Sequence, residues 1–163
     1  MDAGDLPLDK WTAAANICDE DVDGDPRYRV SAMLNSMASH SDNLKTLSLA
    51  CGAMEIDDVG EAWPLVGSDQ PSVAEITDDD IVSIAGNYKF NRHVSMGDLV
   101  NSVTGTYPEP DELWSPVGYK EQTDPALVTL DRRTRDVSID FPQVPYKAQA
   151  EQLASVYLLE NRF

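Results

Sequence analysis

The stretch PYKAQAEQLASVYLLENRF, residues 145 to 163, decides the fold class. Tyr146, Ala150, Leu153, Ala154, Tyr157 and Leu158 recur at helical spacing and line one face, the signature of an amphipathic helix. The pattern is still running at Phe163, so the chain reads as an excised segment of a longer protein whose last helix leans on further structure. The sequence before it has a different texture. From residue 86 to 141 it is rich in β-formers broken by proline and glycine, as in NSVTGTYPEP (101–110), LWSPVGY (113–119) and RDVSIDF (135–141). Short strands followed by one strong helix predict a mixed α+β chain. Its strands and hairpins are expected to form small sheets or a partial barrel, with two or three helices including the C-terminal one.

The N-terminal half alternates in the same way. PLDKWTAAANICDEDV (7–22) places Trp11, Ala14, Ala15 and Cys18 on one face of a short helix. In RYRVSAML (27–34), Tyr28, Val30, Ala32 and Leu34 alternate, which predicts a strand around 27 to 35. HSDNLKTLSLACG (40–52) reads as a helix capped by Ser41 or a neighbour, with Leu44, Leu47 and Cys51 as its apolar stripe and Gly52 as its stop. AMEIDDVGEAWPLVG (53–67) reads as two strands around a turn at 57–60, with Met54 and Ile56 answering Trp63 and Leu65, and with Pro64 demanding a sheet edge. PSVAEITDDDIVS (71–83) predicts another short strand and then a helix start at its acids. The whole chain, 1–163, reads as one segment with a subdivision into an α+β part at 1–85 and a β-rich part with the last helix at 86–163.

Charge narrows the function. Against 29 acidic residues stand only 12 basic ones, a net charge of −17. Such a surface repels phosphate backbones and anionic membranes, so no direct nucleic-acid binding is expected. No apolar run is long enough to span a bilayer, and the start MDAGDLPLDKW lacks the features of a signal peptide. The chain is therefore expected to be soluble, made in the cytosol and not inserted in a membrane. Cys18 and Cys51 have no C-x-x-C partner and no nearby histidine, and read as small apolar residues with a disulfide disfavoured in a cytosolic setting. His40 and His93 stand alone.

Chemistry-bearing motifs are scarce. Asp19, Asp21, Asp23 and Gly24 spell D-x-D-x-D-G, the opening of an EF-hand loop. The twelfth position is Val30, which supplies no side-chain oxygen, and Pro26 and the strand-like exit also depart from the motif, so the stretch reads as an acidic turn. A looser calcium site on these three acids would make the chain a calcium-stabilised adhesion module. No glycine-rich phosphate loop, G-x-S-x-G elbow or H-E-x-x-H occurs. The abundant acids leave a carboxylate-pair hydrolase acting on cell walls as an alternative, with no acid in a distinctive setting. Trp11, Trp63, Trp114, Tyr107 and Tyr119 read as packing residues before they read as a sugar platform. No catalytic residue, cofactor or metal ligand is assigned.

The order of segments carries more. KWTAAANICDEDV, RYRVSAML, LACGAMEI, ITDDDIV, NSVTGTYPEPDELW and AQAEQLASVYLLENR together resemble bacteriophage tail proteins related to the lambda-type tail-tip attachment, or host-specificity, protein. The matching positions are Gly52 after a helix, Asn101 and Val103 leading to Tyr107, Glu109 and Pro110, and Ala150, Leu153, Ala154, Leu158 and Arg162 in the last helix. One departure is Glu151–Gln152 where relatives often have a basic residue. The resemblance implies a non-enzymatic part of the tail hub in the virion, made in the bacterial host cytoplasm. Other tail proteins would be its partners, and the full-length protein would assemble as a homotrimer.

Overall fold

The computed structural model describes residues 6–22, 24–69, 72–75, 77 and 99–162. Helix α1, Leu8–Cys18, leads through a tiny hairpin of β1, Asp21–Val22, and β2, Asp25–Pro26. Helix α2 covers His40–Ala50, and strands β3, Met54–Asp58, and β4, Glu61–Leu65, follow as an antiparallel hairpin. After the undescribed stretch come β5, Ser102–Thr104, β6, Thr106–Glu109, a 3₁₀ turn, β7, Ser115–Gly118, and β8, Gln122–Thr123. Helix α3, Pro125–Asp131, strand β9, Asp136–Ser138, and helix α4, Lys147–Glu160, complete the order. The class is mixed α+β with a C-terminal helix. Its sheets are small and open, and α3 adds a fourth helix among the described residues.

The three-stranded sheet β8-β5-β9 is the centre. Strand β5 pairs antiparallel with β8 and parallel with β9, and α4 packs across β5, β8 and β6. Strands β5 and β6 are almost one strand, broken at Gly105, where the chain leaves the first sheet to pair with β7. The residues after β9 follow it across the break: Ile139 N–H donates to Thr104 O at 2.7 Å and Phe141 N–H to Thr106 O at 2.9 Å. That crossing requires glycine, since a Cβ at position 105 would lie 1.8 Å from the Ile139 carbonyl oxygen.

The anticipated face of α4 is buried at Ala150, Leu153, Ala154 and Leu158 and half-buried at Tyr157, while Tyr146 stands exposed just before the helix. Ala150, Leu153, Ala154 and Leu158 lie in one cluster with Val103, Tyr107, Tyr119 and Val144, and Ala14, Tyr28, Ala50 and Val66 join it from the N-terminal half. Helix α2 ends at Gly52 with φ +56°, close enough to Leu153 that a Cβ would meet its Cδ2 at 3.4 Å. The cap at its other end is Ser39, whose Oγ accepts from Asp42 N–H at 3.1 Å. The β3-β4 register pairs Met54 with Leu65 and Ile56 with Trp63, and Pro64 stands in a two-stranded ribbon that leaves it at an edge. Its two-residue loop, Val59–Gly60, has positive φ at both positions, the geometry that matches strand twist.

Four sequence expectations change. The face of α1 is Trp11, Ala14, Ile17 and Cys18, while Ala15 is exposed. Leu44 of α2 is exposed and Ala50 is buried in its place. Residues 27 to 35 form no strand. The backbone there is satisfied by a side chain: Arg29 N–H donates to Gln149 Oε1 at 3.0 Å, and Gln149 Nε2 donates to Arg29 O at 2.9 Å. One buried amide from α4 thus imitates a strand neighbour, and the expected face is not kept: Tyr28 is buried while Val30 and Leu34 are exposed. Residues 72–75 have no regular structure, and the expected helix start at 77–80 lies, apart from Thr77, outside the described residues.

Candidate interaction surface

The segment after Arg29 is held at both ends and bare in the middle. Gln149 grips Arg29 and also donates to Ala50 O at 2.6 Å, while Ser31 N–H donates to Gln143 O at 2.8 Å. Further on, Asn35 N–H donates to Asn43 Oδ1 at 3.2 Å and Asn43 Nδ2 returns a bond to Asn35 O at 2.9 Å. Between and beyond these anchors, Met33 is 99% exposed, Met37 90% and Leu34 57%. Scattered exposed apolar residues are ordinary, but two methionines standing almost wholly in solvent on a pinned segment are not. Methionine is flexible and polarisable, a side chain suited to adapting to a partner surface.

The polar groups of the fold are engaged in structure. Asp131 at the end of α3 accepts from Arg162 Nη1 at 2.7 Å and Nη2 at 3.0 Å, and from Asn101 Nδ2 at 2.9 Å. Asn101 is fully buried. It also donates to Arg133 O at 2.9 Å and accepts from Arg135 N–H at 2.7 Å. The Arg162 hydrogen bonds hold the Asp131 carboxyl below the usual carboxylate range, with Asn101 and Arg135 adding to the effect. This network ties the ends of α3 and α4 to the strand β5.

The sequence-predicted sites separate. Asp21 Oδ1 accepts from Gly24 N–H at 3.0 Å, an acidic turn closed on itself. Glu20 pairs with Arg27 and Asp25 with Arg29, each at 2.6 Å, so the neighbouring acids are turned toward the chain's own arginines. Asp23 lies outside the described residues, among which no group of three metal-ligating side chains converges. His40 is the exposed first residue of α2, and His93 falls outside the description.

The aromatic residues do not gather either. Trp11 and Trp63 share a cleft of about 190 Å³ with Leu44 and Ile56, where the Trp11 indole N–H donates to Ala62 O at 2.9 Å and Lys10 Nζ sits 3.3 Å from the Trp63 ring centre. Trp114 is 54% exposed at the β6-β7 turn, and Tyr107 and Tyr119 are buried in the core. Burial pushes both of these phenols up to about 12, and at Tyr107 the bond to Glu109 adds to it. Sequence reasoning missed Gln149, because a polar residue on the apolar face of a helix is read as a gap in the pattern. Its spacing from Leu153 on the same face was the available signal.

No family model matches this sequence, and no curated protein matches it significantly.

Proposed function

We propose that the chain is a structural component of a phage or prophage tail tip, acting by protein–protein assembly at the distal end of the tail in host attachment and genome delivery. The observation that carries this reading is the pinned segment with Met33, Leu34 and Met37 in solvent, a contact surface built onto a rigid frame.

The resemblance to tail-tip proteins gains support from where its residues lie. Asn101, Val103, Tyr107, Ala150, Leu153, Ala154, Leu158 and Arg162 are buried, Glu109 and Pro110 are half-buried, and Gly52 ends α2 against Leu153. These are positions that preserve a fold, as expected of a scaffold. The departure is the segment at 27–35, which follows the family order without forming a strand.

Antibody raised against the chain should label the distal end of tails in particles induced from a lysogen that encodes it. Particles that carry no label, while the same antibody detects the chain in the induced cells, would overturn the proposal.

A further inference from the structure

The cysteines occupy corresponding places in their helices. Cys18 is the last residue of α1, and Cys51 is the C-cap of α2. Both are half-buried, both line one open cleft of about 250 Å³ with Tyr28, Val30 and Leu47, and the Cys51 thiol is turned to its own helix, donating to Ser48 O at 3.5 Å. Backbone anchors fix the two ends: Tyr28 N–H donates to Cys18 O at 3.0 Å, and Gly67 N–H donates to Cys51 O at 3.2 Å.

We propose that Cys18 and Cys51 are a redox-convertible pair, a site at which a small-molecule disulfide such as oxidised glutathione turns two thiols into one cystine joining α1 to α2. The Cys18 thiolate attacks one sulfur of the glutathione disulfide, whose S–S bond breaks and releases one glutathione thiolate. Cys51 then gives its proton to solvent and attacks the Cys18 sulfur, expelling the second glutathione. Two electrons pass from the pair to the glutathione disulfide, and two protons end on the released thiols.

The neighbours set the order and the pace. Burial pushes both thiols up, Cys51 to about 11, while the neighbouring Cys51 side chain pulls Cys18 the other way, so Cys18 ionises first. The other titratable groups on the cleft are Tyr28, whose hydroxyl donates to Gly67 O, and Arg29, whose guanidinium is bound to Asp25 and stacked over Tyr146. With neither offering a free cation to the sulfurs, oxidation is slow at neutral pH and accelerates as pH rises.

The folded chain is incubated with oxidised glutathione at mildly alkaline pH, and free thiols, intact mass and a non-reducing digest are followed. Both thiols should vanish together, the mass should fall by two hydrogens, one peptide pair should be linked through Cys18 and Cys51, and the denaturation midpoint should rise. Cys51→Ser should instead retain a single glutathione on Cys18. A wild-type chain that keeps glutathione on each sulfur overturns the pair. So does one that cross-links into dimers, or one that stays reduced when folded while its unfolded form oxidises.

Discussion

Asn101 ties β5 to the stretch 131–135 with one side chain, donating to Asp131 and Arg133 and accepting from Arg135. Removing it takes three hydrogen bonds from a part-buried network, and an unsatisfied buried group costs more than its hydrogen bond contributes. Asn101→Ala should therefore lower stability by about 2–3 kcal/mol, read as a shifted denaturant midpoint with unchanged slope. Tyr107 and Tyr119 make a second test. Their folded values of about 12 stand above the ordinary 10.0, so the unfolded chain loses these protons first. The stability they contribute is complete below pH 10.0 and disappears as pH climbs toward 12. Ultraviolet titration should show late phenols, Tyr107 and Tyr119 among them with the buried Tyr28, whose ionisation coincides with unfolding, and Tyr119→Phe should lessen the alkaline loss.

The β3-β4 hairpin keeps one awkward choice. Val59 sits at φ +53°, a conformation costly for a β-branched side chain and natural for asparagine. Since Val59 is 97% exposed, Val59→Asn should stabilise the chain by about 1 kcal/mol, measured as a raised melting temperature. The hairpin itself was legible in the sequence, because its register follows from alternation around an Asp-Val-Gly turn. So was α4, whose apolar face is long enough to outweigh local ambiguity. Helix α3 was hidden by its brevity, although Asp124 accepting from Ala126 N–H at 2.8 Å and Pro125 at its first position are ordinary helix-start chemistry. The segment at 27–35 misled for a deeper reason: its hydrogen-bond partner is a glutamine 120 residues away, and alternation says nothing about whether a strand or an amide will answer. The contact surface was not legible: Met33 lies off the expected strand face and Met37 beyond the expected strand, and only the structure shows both in solvent.

A net charge of −17 spread over a 17.9 kDa chain makes association selective. Like copies repel at long range, so a self-contact must be carried by apolar side chains at close range. If this segment carries the trimer contact that the tail-tip reading implies for the full-length protein, light scattering on the purified chain should give three times 17.9 kDa, and Met33→Ser combined with Met37→Ser should return it to one. A single-chain mass for the unaltered protein would move the trimer contact off this segment. Under the tail-tip reading proposed above, the acid excess would also line a conduit through which DNA passes without adhering. Neutralising clustered acids such as Asp57, Asp58 and Glu61 should slow genome ejection from particles, and unchanged ejection kinetics would count against that role.

The grip of Gln149 on Arg29 gives the exposed methionines a remote sensor. Anything that seats on Met33 and Met37 loads a segment whose upstream end is tied to a buried amide on α4, with a third bond from the same amide reaching Ala50. The side-chain amide protons of Gln149 exchange with solvent only when that clasp opens. Their exchange rate, followed by nuclear magnetic resonance, would report occupancy of the surface from inside the core, without a probe placed anywhere near the partner.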